Sequence, residues 1–204
     1  IVSPASSLQI VALQDASTSQ FGKAIVNPAD TAACRSVVKT PLVLVAWKER
    51  ADVLWGQQPG AAMWQDIHTA LVNPQGWASL NRAEWGYVKF GRTDPLKSNS
   101  GYMTILLMTY GYYNKTSNLS ASDILSNSDF QKWFLETEAS IGQFESSTGP
   151  LMDKMISYGP SQFDFVTVYE ATAIAQAANA VGRYGELHVY YPSAMLWSDH
   201  PFCI

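Results

Sequence analysis

Serine, threonine and glycine recur where a strand-like segment gives way to a helix-like one, and that pattern can hold an anion. The block Thr93-Asp94-Pro95-Leu96-Lys97-Ser98-Asn99-Ser100-Gly101 follows a short apolar stretch and leads directly into Tyr102–Tyr112, which reads as a helix. The first amides of a helix lack intrahelical partners, and the peptide dipoles place partial positive charge there. Hydroxyls beside those amides, with a glycine permitting close backbone approach, make a cradle for an oxyanion or carboxylate. Helix capping and turn formation account for the same residue types without any ligand. Two further segments, Ser3-Pro4-Ala5-Ser6-Ser7 and Ser146-Ser147-Thr148-Gly149, repeat the chemistry before other helix-like runs.

Catalytic signatures are missing from the sequence. It has no GxSxG elbow, phosphate-binding Walker loop, GxGxxG turn or HExxH pair, so no nucleophile–base pair can be named and a non-enzyme is expected. His68, His188 and His200 are far apart, with no metal-ligand spacing, and neither metal nor cofactor is expected. His68 reads as a surface or boundary residue, His200 as a turn residue, and Glu136 with Glu138 as a solvated helix face. The net charge of −4, with no Lys/Arg run, excludes an electrostatic nucleic-acid binder. No apolar stretch approaches the roughly 18 residues that span a bilayer, so direct membrane insertion by this chain is not expected. With 47% hydrophobic and 15% charged residues, the 204-residue chain has the composition of a folded domain or two lobes.

The elements that must position the Ser-rich turns alternate between strand and helix. Leu8–Leu13 begins a helix, Asp15–Asn27 reads as a polar loop, and Pro28 opens a short helix holding Cys34. Pro41–Trp47 is a continuous apolar run, suited to a strand buried on both faces of a mostly parallel sheet. Lys48–Gly60 reads as polar connection, and Ala62–Val72 as an amphipathic helix with Met63, Ile67 and Leu71 four residues apart. Tyr87–Phe90 is the next strand. Helices are predicted over Leu119–Leu125, Asp129–Ile141 and Pro150–Ile156, then a strand at Phe163–Val168, a helix over Glu170–Val181 and a strand at Leu187–Tyr191. The class is α/β. Cys34 and Cys203 are compatible with two buried thiols or with one bridge between an early segment and the C-terminus.

In order and spacing, several segments resemble one family. They are Pro4-Ala5-Ser6-Ser7, Thr40–Trp47, Phe90–Gly101, Val168-Tyr169-Glu170, Tyr190-Tyr191-Pro192 and Trp197–Pro201. Together they resemble the bacterial extracellular solute-binding proteins of the type 2 periplasmic class, in the branch related to molybdate- and sulfate-binding proteins and often fused to a von Willebrand factor type A domain. The resemblance covers nearly the whole chain. It implies two α/β lobes of mostly parallel sheets flanked by helices, joined by two crossover strands, Pro41–Trp47 and Leu187–Tyr191. Residues 1–47 with 187–204 would form the first lobe and 48–186 the second. The family's first strand–helix–strand unit and its C-terminal helix have no counterpart here, as expected either of a fragment or of a chain whose remaining parts reside elsewhere.

By the same resemblance, a small ligand would sit in an interlobe cleft. Ser6 and Ser7 would face it from the first lobe; Thr93, Ser98, Asn99, Ser100 and Gly101 from the second; Tyr169 and Glu170 would line that wall. An extracytoplasmic location follows, with anchoring by a segment outside this chain and an ABC-transporter permease or a fused von Willebrand factor type A domain as partner. An oxidising compartment and a shared lobe would favour a Cys34–Cys203 disulfide. The competing readings are a carbohydrate or peptide binder, with Trp47, Trp55, Trp64, Trp77 and Trp85 as stacking walls, and an adhesion domain without ligand. Exposed sequons at Asn114 and Asn118 would suit that second reading.

Overall fold

The computed structural model describes every residue of the chain except Gln57. The described residues divide into two compact units, Ile1–Pro41 with Leu196–Ile204, and Leu42–Met195.

In the first unit, helix α1 (Ser7–Phe21) starts at an N-cap that the sequence announces. Ser6 is extended (φ −143°, ψ 144°), and it forms a reciprocal capping box with Gln9. The helix runs through residues expected to form a loop. Ser17 and Thr18 donate their hydroxyls to the Gln14 carbonyl at 3.0 and 2.8 Å, which keeps these side chains inside the helix instead of breaking it. Gly22 ends α1 in the left-handed conformation, φ 69°. The short helix expected around Cys34 does not form. Asp30 organises turns by accepting from the Ala32 and Ala33 amides, and Cys34 begins strand β1 (Cys34–Ser36). Strand β1 pairs antiparallel with β8 (Pro201–Cys203), which sets Cys34 opposite Cys203, and the two form a disulfide.

The second unit is built on strand β2 (Thr40–Trp47), whose eight residues are all buried. Its first two residues pair with β7 (Trp197–Ser198) in the first unit, and from Leu42 onward it belongs to the second. The sheet order is β4-β3-β5-β2-β6, with β3 at Phe90–Thr93, β4 at Phe144–Glu145, β5 at Phe165–Tyr169 and β6 at Leu187–Tyr190. β3 pairs parallel with β4 and β5, while β2 pairs antiparallel with both β5 and β6. Four strands therefore run one way, and the doubly buried strand that suggested a parallel sheet is the one that runs against them.

Helices flank this sheet. They are α2 (Lys48–Trp55), α3 (Met63–Val72), α4 (Asn99–Tyr112), α5 (Ala121–Leu125), α6 (Ser128–Ala139), α7 (Thr148–Tyr158) and α8 (Glu170–Ala177). Helix α2 replaces an expected polar loop, because Arg50 and Ala51 turn inward while Lys48 and Asp52 pair outside. On one face of the sheet, Val43, Val45, Trp47, Val166 and Val168 pack with Leu151, Met152 and Met155 of α7 and Ala173 of α8. Strand β3 lies three residues later than the expected Tyr87–Phe90, since Tyr87 is exposed and Gly91-Arg92-Thr93 is buried.

The edge where β3 and β5 begin is tied together by Asp164. Its Oδ2 accepts from Trp77 Nε1 (3.0 Å) and from the Lys89 amide (2.8 Å). Arg50 Nε approaches Oδ1 at 3.1 Å as an ion pair without hydrogen-bond alignment, and the guanidinium lies 3.5 Å over the Trp85 ring. Burial pushes the Asp164 carboxyl above its ordinary value and lowers Arg50, so each charge depends on the other. Removing one partner strands the other, and Asp164→Ala should lower stability by about 3–5 kcal/mol in urea melts.

His68 is buried, not at a boundary. Its Nδ1 meets Thr137 Oγ1 at 2.8 Å and its ring lies 5.1 Å from that of Trp133. Burial lowers its pKa, with Glu136 opposing the shift. The unfolded chain binds the proton first, so this contribution is present above the unfolded value of about 6.5 and is lost as pH falls below it. The urea midpoint should drop between pH 7.5 and 5.5, and His68→Gln should shrink that drop.

Candidate functional site

Because β3, β4 and β5 run parallel, their C-terminal ends share one edge of the second unit, and α4, α7 and α8 begin there. Ligands of α/β sheets bind at such an edge. The serine N-caps of two of these helices differ from the side-chain caps of α1, α5 and α6. Ser6, Ser120 and Asn127 close their side chains onto a first-turn amide of α1, α5 and α6. Ser98 at α4 and Ser147 at α7 are extended N-caps whose side chains make no such bond.

Ser98 instead takes part in a chain of hydroxyls. Ser98 Oγ lies 2.9 Å from Ser100 Oγ, which lies 2.7 Å from Thr93 Oγ1. Ser100 and Thr93 are completely buried. The Gly101 amide donates to the Ser98 carbonyl at 3.1 Å, so the open amides of this helix start are those of Asn99 and Ser100. The reason for a glycine at 101 is also internal. A Cβ there would stand 2.3 Å from the Thr93 carbonyl oxygen, because α4 rests directly on the end of β3. Asp94 forms the intervening turn, accepting from the Leu96 amide at 2.9 Å, a bond that holds its carboxyl below the ordinary range. Lys97 is exposed and pairs with Asp94 at 3.4 Å.

Asn99 links this helix start to the neighbouring strand. Its Nδ2 donates to Tyr169 Oη at 3.0 Å and contacts Met103 Sδ at 3.1 Å, while the buried Oδ1 meets no donor. Tyr169 ends β5, and Glu170 opens α8 and accepts from the Tyr191 hydroxyl, just past β6. Thr93, Ser98, Asn99, Ser100, Gly101, Tyr169 and Glu170 are thus brought to one edge. Ser6 and Ser7 lie in the first unit. There Ser6 caps α1, and the Ser7 amide donates to Asp199 Oδ1 at 2.8 Å, so a carboxylate of the chain itself holds that amide.

The sequence reading missed Arg92. It is 1% exposed, donates from Nη1 to the Thr93 carbonyl at 2.8 Å, pairs through Nη2 with Glu138, and sits 4.4 Å over the Phe144 ring. Glu138 is therefore a buried arginine's partner, not part of a solvated face. An arginine inside a four-residue strand was the available signal, but it names no partner. The tryptophans offered as stacking walls are mostly core. Trp47, Trp64 and Trp77 are buried, and Trp55 packs on Phe165 and Tyr190. His188 pairs with Glu186, and His200 Nε2 lies 3.3 Å from Ser198 Oγ. Among the described residues no cluster of His, Cys, Asp or Glu could hold a metal, and no helix is long and apolar enough to cross a membrane.

No protein-family model matches the sequence, and neither does any curated protein. Solved structures do match in shape. Iron-bound HitA from Pseudomonas aeruginosa aligns with a TM-score of 0.51 at 9% identity, over 93% of this chain and 51% of that one. A two-component system protein that mediates signal transduction aligns with a TM-score of 0.50 at 12% identity, over 85% and 45%. The periplasmic binding protein P5PA aligns at 0.49 and 13% identity, over 98% and 50%. The chain spans about half the length of each. The likeness is one of fold, a mixed α/β architecture with a central sheet flanked by helices. It reaches neither the molybdate and sulfate branch nor a von Willebrand factor fusion.

The packing of α4 on β3 makes a direct prediction. In Gly101→Ala the added methyl meets backbone that Arg92 holds in place, so the substitution should cost about 3 kcal/mol. Urea melts would read this, with Gly111→Ala as a comparison in which the neighbour is a Trp64 side chain instead of backbone.

Proposed function

We propose that this chain is an extracytoplasmic solute-binding module, non-catalytic, that captures a small oxyanion or carboxylate at the start of α4. The observation that carries this reading is Ser98, an N-cap that leaves its helix uncapped and keeps its hydroxyl at the C-terminal edge of a parallel strand cluster. The Asn99 and Ser100 amides, the helix dipole and the Ser98 hydroxyl all favour negative charge at that point. The disulfide of the first unit agrees with a role outside the cytoplasm. A membrane permease, or an adjoining von Willebrand factor type A domain, is the partner this reading calls for. The carbohydrate reading loses support with the burial of its tryptophans.

Calorimetric titration with molybdate, tungstate, sulfate, phosphate and small carboxylates tests the proposal. Ser98→Ala removes one hydrogen bond to the ligand and should weaken binding by several-fold to about tenfold, with a modest loss of stability because the buried Ser100 hydroxyl loses a partner. Ser100→Ala should also lower stability, because it orphans the buried Thr93 hydroxyl. If none of these anions binds, or if Ser98→Ala binds normally, Ser98 is only the start of a helix.

A further inference from the structure

Away from the α4 site, a pocket of about 210 Å³ lies against one stripe of α3. Asp66, Thr69, Ala70 and Asn73 are spaced i, i+3, i+4 and i+7, so they share a helix face. Leu54 of α2, with Ser79 and Leu80 of the helical turn Gly76–Leu80, completes the lining.

Asp66 is the one charged residue of this pocket, and it has no partner. Its side chain is partly buried and makes no hydrogen bond or ion pair among the described residues. Burial pushes the carboxyl above its ordinary value, and no neighbouring charge opposes the shift. Asp52, Asp94 and Asp164, by contrast, each meet a cation.

The hydroxyls beside Asp66 have already committed their protons. Thr69 Oγ1 donates to the Gln65 carbonyl at 2.8 Å, and Ser79 Oγ donates to the Gly76 carbonyl at 2.7 Å. What remains to both oxygens is lone pairs. Asn73 Oδ1 accepts from the Gln75 amide at 2.9 Å, which leaves Asn73 Nδ2 as the one side-chain N–H among the lining residues. Helix α3 also ends with no basic residue in its last turn, so its negative pole adds to the same field. A carboxylate, two hydroxyls spent as donors and a helix C-terminus call for positive charge that gives N–H bonds. Leu54, Ala70 and Leu80 call for an alkyl part. At roughly 30 Å³ for each water-sized group, the volume takes an ammonium on a short carbon chain. A bare metal ion would find a single carboxylate here, too few hard ligands to replace its water.

We infer that this pocket binds a primary alkylammonium group, with Asp66 as its counter-ion, the Thr69 and Ser79 oxygens as further acceptors, and its carbon chain against Leu54 and Leu80. The site is separate from the anion site at the start of α4 and stands or falls without it.

NMR titration at low ionic strength, followed at the backbone amides of residues 66–73, tests this with the wild-type protein and n-butylammonium. Binding should be at least about tenfold tighter than for n-butanol, which has the chain without the charge, because hydrogen bonds to charged groups outweigh neutral ones. Tetramethylammonium, charged but without N–H, should fall behind by a similar factor. Asp66→Asn keeps the shape and removes an unpaired, partly desolvated charge. It should fold normally and bring n-butylammonium down to the level of n-butanol. Nα-acetyl-lysine methylamide identifies the source of the ammonium. Binding equal to that of n-butylammonium assigns the pocket to a lysine side chain of another protein, and weaker binding assigns it to a free amine. No saturable shift with n-butylammonium, equal binding of n-butanol, or unchanged affinity in a folded Asp66→Asn overturns the inference. So does tetramethylammonium binding as tightly as n-butylammonium, since the N–H bonds would then have no part in recognition.

Discussion

Strand β2 governs the second unit. All eight of its residues are buried, so its backbone polar groups have no recourse to water and must pair along both sides. That requirement fixes β5 on one flank, with Leu42 opposite Tyr169, and β6 on the other, with Leu44 opposite Tyr190. Both neighbours run against β2 and therefore run the same way as each other. Tyr169 and Tyr190 consequently end at one edge, which lets the Tyr191 hydroxyl reach Glu170. Glycine at 91 and arginine at 92 then allow β3 to join β5. A Cβ at 91 would strike the Phe163 ring at 2.6 Å, and Arg92 is accommodated only because Glu138 and Phe144 receive it.

The candidate site inherits its precision from this arrangement. The end of β3 is held by Arg92 through the Thr93 carbonyl, and α4 rests on the same carbonyl through Gly101. Two buried hydroxyls hold a third in place, and one buried amide spans to the adjacent strand. None of these groups lies on a free loop. A site carried on strand ends and a helix start keeps its geometry better than one built on connections alone. A second contrast lies between the two units. The start of α1 is closed by Ser6, Gln9 and Asp199, all from the chain itself. The start of α4 is left open by a serine whose hydroxyl turns elsewhere.

Much of this was legible in the residues. The apolar run at Pro41–Trp47, the helix after Ser98, the Ser-rich start of α1, and the alternation of strands with helices follow from local pattern and helix-start chemistry. The polar stretch after Asp15 misled, because Ser and Thr signal a loop by composition yet bond back to the Gln14 carbonyl once a helix is under way. The segment at Lys48–Trp55 misled for a different reason. Its arginine is a core residue through an ion pair with Asp164, more than a hundred positions later.

The sequence by itself determined which segments can be helix or strand, and that hydroxyls and a glycine gather before α4, since propensity, capping and hydrophobic period are properties of neighbouring residues. The tertiary structure alone decided what those residues do. The direction of β2, the pairing of Cys34 with Cys203, the burial of Arg92 and His68, and the use of Gly101 for contact with Thr93 all depend on partners distant in the chain or on packing between elements. Spacing cannot supply them, because it carries no information about which buried polar group will find its complement across the fold.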